Sequence, residues 1–197
     1  DVTPPTAVCQ DISVNLNDNE ITITASQIDN NSTDEFGIGS LSINIDNFDC
    51  SNLGDNSVIL TVTDVNGNSA ECTATVTVTD TTNPTITAPD AVTVSTNDAC
   101  TATEVTLGDS TTSDNCSVAS TTNDAPDAFD LGETTVTWTV TDGSGNTATA
   151  TQIVTVTDTT NPTITAPSDV TVTINETCTA TEVTLGDSTT SDNCSVA

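Results

Sequence analysis

The sequence predicts an all-β protein made of tandem, immunoglobulin-like antiparallel β-sandwiches. Three observations lead to this fold class: apolar residues alternate with threonine at a period of two, turns rich in glycine and asparagine separate the alternating runs, and the whole pattern recurs along the chain. Alternation of this kind is typical of strands with one face in a core and the other in water. About seven short strands in each repeat would fit a small sandwich.

The clearest strands occupy residues 58–63 and 135–141, where apolar side chains alternate mostly with threonine. Threonine suits the solvated face because its branched Cβ favours extended backbone while its hydroxyl meets water. The segments 64–68 and 142–146 contain the Asp, Asn and Gly residues that hairpin turns need. Residues 25–30 are the best candidate for a short helix. The last strand of each repeat sets valines between threonines: Val76 and Val78 in the first, Val154 and Val156 in the second.

Internal repetition indicates the domain organisation. The segment DTTNPTITAP begins at Asp80 and again at Asp158, a period of 78 residues (158 − 80), and residues 80–119 differ from residues 158–197 at six positions. The segment DVTPPT at Asp1 corresponds to DTTNPT at Asp80, so residues before Asp80 form a diverged first copy. We therefore expect one sandwich at 1–79, a second at 80–157, and the first half of a third at 158–197. Near-identity of successive copies suggests that they belong to a longer array.

Composition argues against most enzymatic chemistry. The chain has no lysine, arginine or histidine and carries 29 acidic residues. Without imidazole, amine or guanidinium groups, the usual acid–base, Schiff-base and phosphate-binding chemistry is missing, so we expect no catalysis. Nucleic acids and anionic membranes require cationic partners, and no apolar run reaches the ~18–20 residues of a membrane span. We expect neither nucleic-acid binding nor membrane insertion.

These features favour a structural repeat of a secreted or cell-surface filament or adhesin. Its main partners would be neighbouring repeats of the same chain or filament, joined in sequence through the DTTNP linkers, because negative charge opposes sideways contact. The alternative is a glycan- or protein-binding module whose specificity lies in the loops of one repeat. The diverged first repeat, with Phe36 and Phe48, is where such binding would be sought first.

Seven cysteines without histidine favour disulfides in an oxidising, extracellular compartment over a zinc site. Cys100 and Cys116 are the only cysteines of the second repeat, and Cys178 and Cys194 are the only cysteines of the third. Pairing within each repeat is the simplest solution, so the expected bridges are Cys100–Cys116 and Cys178–Cys194.

Several motifs resemble the HYR (hyalin repeat) domain: TVTDxxGN at Thr61 and Thr139, SDNCS at Ser113 and Ser191, and the DTTNPTI openings. Similar tandem arrays occur in giant repetitive surface adhesins of gliding, type IX-secreting bacteria. The resemblance implies an immunoglobulin-like sandwich that serves as a spacer or adhesion module. It departs from the usual family pattern at Ser117 and Ser195, where glycine is common.

The resemblance also implies a bridge between the opening and closing strands of a repeat, which is Cys9–Cys72 in the first. Members of the family often carry a cysteine in the stretch that Phe36 occupies here. Cys50 then has no obvious partner and is expected to be a free thiol, with an intermolecular bridge as the alternative.

Oxygen-rich turns offer one cofactor, calcium. The hairpin before the last strand of a repeat should lie near that repeat's incoming linker, and carboxylate and carbonyl oxygens are the ligands that calcium prefers. The alternative is that these residues only stabilise their turns, since no DxDxDG loop is present. The candidate ligands are Asp1, Asp64, Asn68, Asp80, Asp142 and Asn146.

Four Asp-Ser/Thr-Thr triplets resemble the O-glycan acceptor pattern of secreted proteins of the same bacteria. Short matches of this kind also arise by composition alone in a threonine-rich chain. The candidate acceptors are Thr81, Ser110, Thr159 and Ser188.

Overall fold

The computed structural model describes residues 2–180 and 182–195, and these residues form the all-β structure that the sequence predicts. The first repeat contains β1 to β6, the second β7 to β14, and the third β15 and β16. Their bounds are β1 Ile12–Asn15, β2 Glu20–Thr22, β3 Ile38–Ile43, β4 Asn47–Asp49, β5 Gly54–Asp64, β6 Ser69–Thr79, β7 Thr85–Thr87, β8 Val92–Ser95, β9 Thr101–Thr103, β10 Thr111–Ser113, β11 Val118–Asn123, β12 Ala128–Asp130, β13 Gly132–Asp142, β14 Thr147–Thr157, β15 Thr163–Thr165 and β16 Thr189–Ser191.

The chain falls into two compact units. The first contains Asp1–Thr87, Ser110–Thr122 and Trp138–Ala150, and the second contains Ala88–Asp109, Asn123–Thr137 and Thr151–Ala197. The boundaries of these units differ from those of the sequence repeats, because the second repeat contributes residues to both. The division into sandwiches at 1–79, 80–157 and 158–197 stays a prediction.

The first unit is built around a four-stranded sheet with the order β1-β6-β5-β3. Strands β5 and β6 form a long antiparallel hairpin, and β1 runs parallel to β6 with Ile12 opposite Val76. Alternation along β5 sends Val58, Leu60 and Val62 inward, whereas the intervening residues Ile59, Thr61 and Thr63 are half-buried. The sequence pattern therefore predicts the faces of this hairpin correctly.

Other segments of the first unit complete its core. Leu16, Ile23, Ile28 and Phe48 are buried against the inward valines. Full burial of side chains of this size contributes roughly 1.5–3 kcal/mol each. The expected helix is a single turn, Ala25–Ile28, which begins after a capping box formed by Thr24 and Gln27.

Both expected hairpin turns are present. Strand β5 ends at Asp64 and β6 begins at Ser69, while β13 ends at Asp142 and β14 begins at Thr147. Gly67 and Gly145 adopt φ of 90° and 93°, a region that other L-residues rarely occupy. Glycine is therefore required at this point of each turn.

The second unit repeats the same pairings. Strand β8 runs parallel to β14 with Val92 opposite Val154, and β9 pairs with β12 so that Ala102 lies opposite Phe129. One buried residue in this unit is polar. Gln152 is 2% exposed, and its Nε2 donates hydrogen bonds to the carbonyl oxygens of Asp90 (2.7 Å) and Leu107 (2.8 Å). Gln152 therefore ties two loop segments to β14.

The change Gln152→Leu is expected to lower the free energy of unfolding of the second unit by roughly 1–3 kcal/mol, because both carbonyl groups lose their donor. The midpoint of urea unfolding measures the loss. The matched control is Gln10→Leu, which removes an exposed amide that donates to Gln27 O at 3.0 Å. Equal, small shifts for the two variants would contradict the role given to Gln152.

Candidate functional site

Three disulfides hold the described residues. They join Cys9 to Cys72, Cys50 to Cys116 and Cys100 to Cys194. The first is the pair that the HYR resemblance implies. The second joins the first repeat to the second, and the third joins the second repeat to the third.

The other cysteine predictions are wrong. Cys50 is bonded and is not a free thiol; the bridges Cys100–Cys116 and Cys178–Cys194 do not form; and Cys178 is an exposed free thiol. Sequence reasoning assumed that two cysteines in one repeat bond to each other. In the structure, each SDNCS cysteine bonds to a cysteine of the preceding repeat.

The positions of Cys50 and Cys100 explain the new pairing. Cys50 follows β4, which pairs with β2, and Cys100 precedes β9, which pairs with β12. Asp49 lies opposite Glu20 at one end of the β2–β4 pair, and Thr101 lies opposite Asp130 at the same end of the β9–β12 pair. Cys50 and Cys100 therefore lie at the same end of equivalent strand pairs. Cys50 follows the second strand of its pair, whereas Cys100 precedes the first strand of its own. Either position can therefore receive the cysteine of the next SDNCS motif.

The cysteine is presented by a short turn, residues 114–116 or 192–194, that we term the DNC loop. Asp114 Oδ2 accepts hydrogen bonds from the backbone N–H groups of Cys116 (2.9 Å) and Ser117 (3.0 Å). Asp192 Oδ1 accepts one from Cys194 N–H (3.0 Å) in the same way. The aspartate thus shapes the turn that carries asparagine and cysteine outward.

The asparagine of each DNC loop binds the segment that follows the first strand of the preceding repeat. Asn115 Nδ2 donates to Leu16 O (3.2 Å), directly after β1. Asn193 Nδ2 donates to Thr96 Oγ1 (3.0 Å) and Asn97 O (3.2 Å), directly after β8. Each DNC loop therefore combines one covalent bond with hydrogen bonds to the same neighbour.

The first DNC loop also lies against the hairpin turn between β13 and β14. Gly143 N–H donates to Ser117 O at 2.9 Å. A Cβ at position 143 would meet Ser117 Oγ at 2.7 Å, so a larger residue there would require the Ser117 side chain to move. The close packing brings Asp142 of the turn towards Asp114 of the loop.

A carboxylate cluster results. Asp80, Asp114 and Asp142 each offer an oxygen, and these oxygens all lie within 4.8 Å of one another. Asp80 is 7% exposed and Asp142 is 2% exposed. Asn146 Nδ2 donates to Asp142 Oδ2 (2.7 Å) and to Asp80 O (3.2 Å). The predicted residues Asp80, Asp142 and Asn146 therefore come together.

Asp114 is the member that sequence reasoning missed. The SDNCS motif points to a disulfide through its cysteine, but its aspartate, which lies in a turn, is also an ordinary oxygen ligand. Asp114 Oδ1 and Asn115 Oδ1 are both buried and have no hydrogen-bond partner within the described residues. Since the chain has no lysine, arginine or histidine, no such side chain balances the cluster. The donor set fits a hard cation.

In the first repeat, the predicted ligands Asp64 and Asn68 form the hairpin turn. Asp64 Oδ1 accepts hydrogen bonds from the N–H groups of Asn66 and Asn68, both at 2.8 Å, and Asn68 Nδ2 donates to Asp64 Oδ2 at 2.7 Å. The third predicted ligand, Asp1, lies outside the described residues. The loop equivalent to DNC is Asp34-Glu35-Phe36, where Asp34 makes the same turn.

The hairpin aspartates have lowered pKa values. Burial alone would raise the pKa of Asp64, but hydrogen bonds from the Asn68 side chain and from backbone N–H groups lower it by more. The pKa of Asp142 is lowered for the same reasons, with Asn146 as the side-chain donor. A depressed native pKa contributes stability that is present above the unfolded value, about 3.9, and is lost as pH falls through the native value.

The variant Asp64→Asn is therefore expected to be less stable than the parent protein at neutral pH, with a difference that shrinks below about pH 4 as Asp64 is protonated in the parent. Urea unfolding at pH 7, 5 and 3 in the presence of a chelator measures this. Asp127→Asn, which changes an exposed carboxylate, is the control. A stability difference independent of pH would contradict the role of the ionised form.

The remaining candidate residues lie at the surface or in the core. Thr81, Thr159 and Ser188 are exposed and Ser110 is half-buried, and their glycosylation stays a prediction. Phe36 is 61% exposed, whereas Phe48 is buried. Of the two phenylalanines considered for binding, only Phe36 is accessible.

Comparison with known proteins gives a family match for part of the chain. Residues 79–156 match the family model of the HYR domain. No curated protein matches the chain. This match, together with the three disulfides, indicates an extracellular protein. Among the described residues, no helix is long and apolar enough to cross a membrane.

Solved structures that match the chain include extracellular cadherin domains 1–5 of protocadherin gamma B2, at 11% identity over 98% of this chain and 47% of that chain, with a TM-score of 0.39. The human desmocollin-1 ectodomain matches at 14% identity over 82% of this chain and 38% of that chain, with a TM-score of 0.28. A chimeric titin Z1Z2-Z1Z2 tandem matches at 18% identity over 78% of this chain and 99% of that chain, with a TM-score of 0.20. The chain spans 54% and 55% of two further protocadherin structures, gamma B3 and gamma B7.

Proposed function

We propose that the chain is a non-catalytic structural array of a secreted or cell-surface filament or adhesin. The observation that carries the proposal is the pairing of Cys50 with Cys116 and of Cys100 with Cys194, because each bridge fastens one repeat to the next. A binding module or an enzyme has no need of a fastening that recurs with the repeat. An array needs such a bond at each junction, because its repeats must stay joined in order.

The residues available for contact support the same role. The 29 acidic residues and the absence of basic ones keep neighbouring arrays apart, because the repulsion between them, although screened over ~8 Å at physiological salt, persists at contact. The contacts that the DNC loop makes with the preceding repeat carry no charge, because they are a disulfide and a hydrogen bond from the Asn115 amide. The resemblance to bacterial surface adhesins agrees with such an array.

Electron micrographs of the full chain are expected to show a string in which each sandwich touches its sequence neighbours. Units packed mainly side by side would contradict the array. The rival binding function rests on the exposed Phe36. A screen against a panel of glycans and extracellular proteins tests this rival. Binding that is lost in Phe36→Ser, while the electron micrographs stay unchanged, would support the binding module instead.

We also propose that the cluster of Asp80, Asp114 and Asp142 holds a calcium ion. Three carboxylates within 4.8 Å repel one another, and two nearby side-chain oxygens are buried without a partner. A divalent cation would neutralise the charge and supply the partner that these oxygens lack. It would join the linker residue Asp80 to the DNC loop and to the hairpin turn, and so stiffen the first compact unit.

Addition of calcium to chelator-treated protein is expected to raise the midpoint of thermal unfolding. At a free calcium concentration 100-fold above Kd, the free energy of unfolding rises by about 2.7 kcal/mol. Asp114→Asn should abolish most of this gain, whereas the exposed control Asp127→Asn should keep it. No shift at millimolar calcium, or an equal shift in Asp114→Asn, would rule out this site.

A further inference from the structure

Successive repeats are connected twice by covalent bonds. The first connection is the backbone linker, residues 80–84 between the first and second repeats and 158–162 between the second and third. The second is the bridge from the DNC loop, Cys50–Cys116 at the first junction and Cys100–Cys194 at the second. At each junction the bridge therefore runs parallel to the linker.

We propose that each DNC-loop disulfide is a safety tether that keeps successive repeats joined after the linker backbone is cut. This inference rests on the proposed array function, because an array that carries tension fails if any one linker fails. The bridge changes that outcome, since two independent covalent connections must break before the repeats separate.

The linkers are the vulnerable connection. Thr81 and Asn83 in the first linker and Thr159, Thr160 and Asn161 in the second are exposed. Exposed connecting segments with small polar residues are the preferred sites of proteolysis. The cysteines of both bridges are half-buried, so the tether is better protected than these exposed linker residues.

The non-covalent contacts are arranged to hold a cut junction in place. Thr81 N–H donates to Asn15 Oδ1 (3.1 Å) and Thr82 Oγ1 donates to Leu16 O (3.2 Å), so the linker is bound to the first repeat independently of its continuity. On the other side of a cut, Asn115 still reaches Leu16 O, and the disulfide fixes the neighbouring residue. A cut in the linker therefore leaves the contacts of Thr81 and Thr82 with the first repeat intact, and also those of Asn115 and Cys116.

The two routes between Cys72 and Cys100 differ in length. The backbone route has 28 peptide units (100 − 72), and the bridged route has 22 (72 − 50) plus 16 (116 − 100). In an unfolded chain under tension, the linker therefore becomes taut first. The bridge carries tension once the linker is cut, after an additional extension of about 10 peptide units, or ~35 Å.

The composition of the chain permits a clean test. Trypsin has no cleavage site because lysine and arginine are absent, so Thr81→Arg creates a single site in an exposed part of the first linker. After trypsin treatment we expect one band on a non-reducing gel and two bands after reduction. Thr81→Arg combined with Cys50→Ser and Cys116→Ser should give two bands under both conditions.

Thr159→Arg tests the second junction in the same way, with Cys100→Ser and Cys194→Ser as its control. Each variant also carries Cys178→Ser to prevent thiol exchange. Separation of the fragments without reductant would overturn the proposal, as would failure of the cut, still-bridged protein to retain the unfolding midpoint of the uncut protein within a few degrees.

A single molecule of Thr81→Arg held by its termini in magnetic tweezers tests the mechanical part. Addition of trypsin should leave the tether intact, with ~35 Å of added length when the chain is fully extended. Loss of the tether would overturn the proposal and leave the string that is expected in electron micrographs unaffected. A tether that survives in a protein whose images show side-by-side packing would instead argue against the array.

Discussion

The disulfide between each DNC loop and the preceding repeat is the interaction on which the rest of the structure depends. A repeat of 78 residues buries a small core, and domains of this size often need a covalent supplement. The first repeat has one of its own in Cys9–Cys72. The second repeat has no internal bridge in the described structure, and Gln152 ties its loops together while Cys100 and Cys116 each bond outward. Stability is therefore shared between repeats.

Charge imposes the second constraint. In a chain with no lysine, arginine or histidine, carboxylates can be stabilised only by neutral donors, by water or by added cations. Asp64 and Asp142 use neutral donors, since each accepts hydrogen bonds from the N–H groups of its own turn. Asp114 uses one oxygen in that way and leaves the other buried without a partner, which is why a cation is proposed there and not in the turn of the first repeat.

The sequence predicts the parts of the fold that follow from local periodicity. Alternation identifies the inward residues Val58, Leu60 and Val62, and the positions of Asp64 and Gly67 identify the turn that follows. The same local reasoning brings Asp142 and Asn146 to Asp80. Local reasoning does not predict the disulfides: the Cys9–Cys72 bridge is implied only by the family resemblance, and the partners in the other two bridges are set by contacts between repeats that no local pattern encodes.

One signal in the sequence does point to the correct pairing. Pairing within repeats leaves one odd cysteine, Cys50, and the SDNCS cysteines recur at the repeat period while Cys50 and Cys100 do not share one position. A bond from Cys50 to the next SDNCS motif places Asp114 and Asn115 beside the linker, where Asp114 completes the carboxylate cluster.

Peptide mapping of the non-reduced protein tests the central claim most directly. Cleavage at aspartate and glutamate separates all seven cysteines, since acidic residues lie between each consecutive pair. The account predicts linked peptides that contain Cys50 with Cys116 and Cys100 with Cys194, and an unlinked peptide that contains Cys178. A peptide that links Cys100 to Cys116 would contradict it.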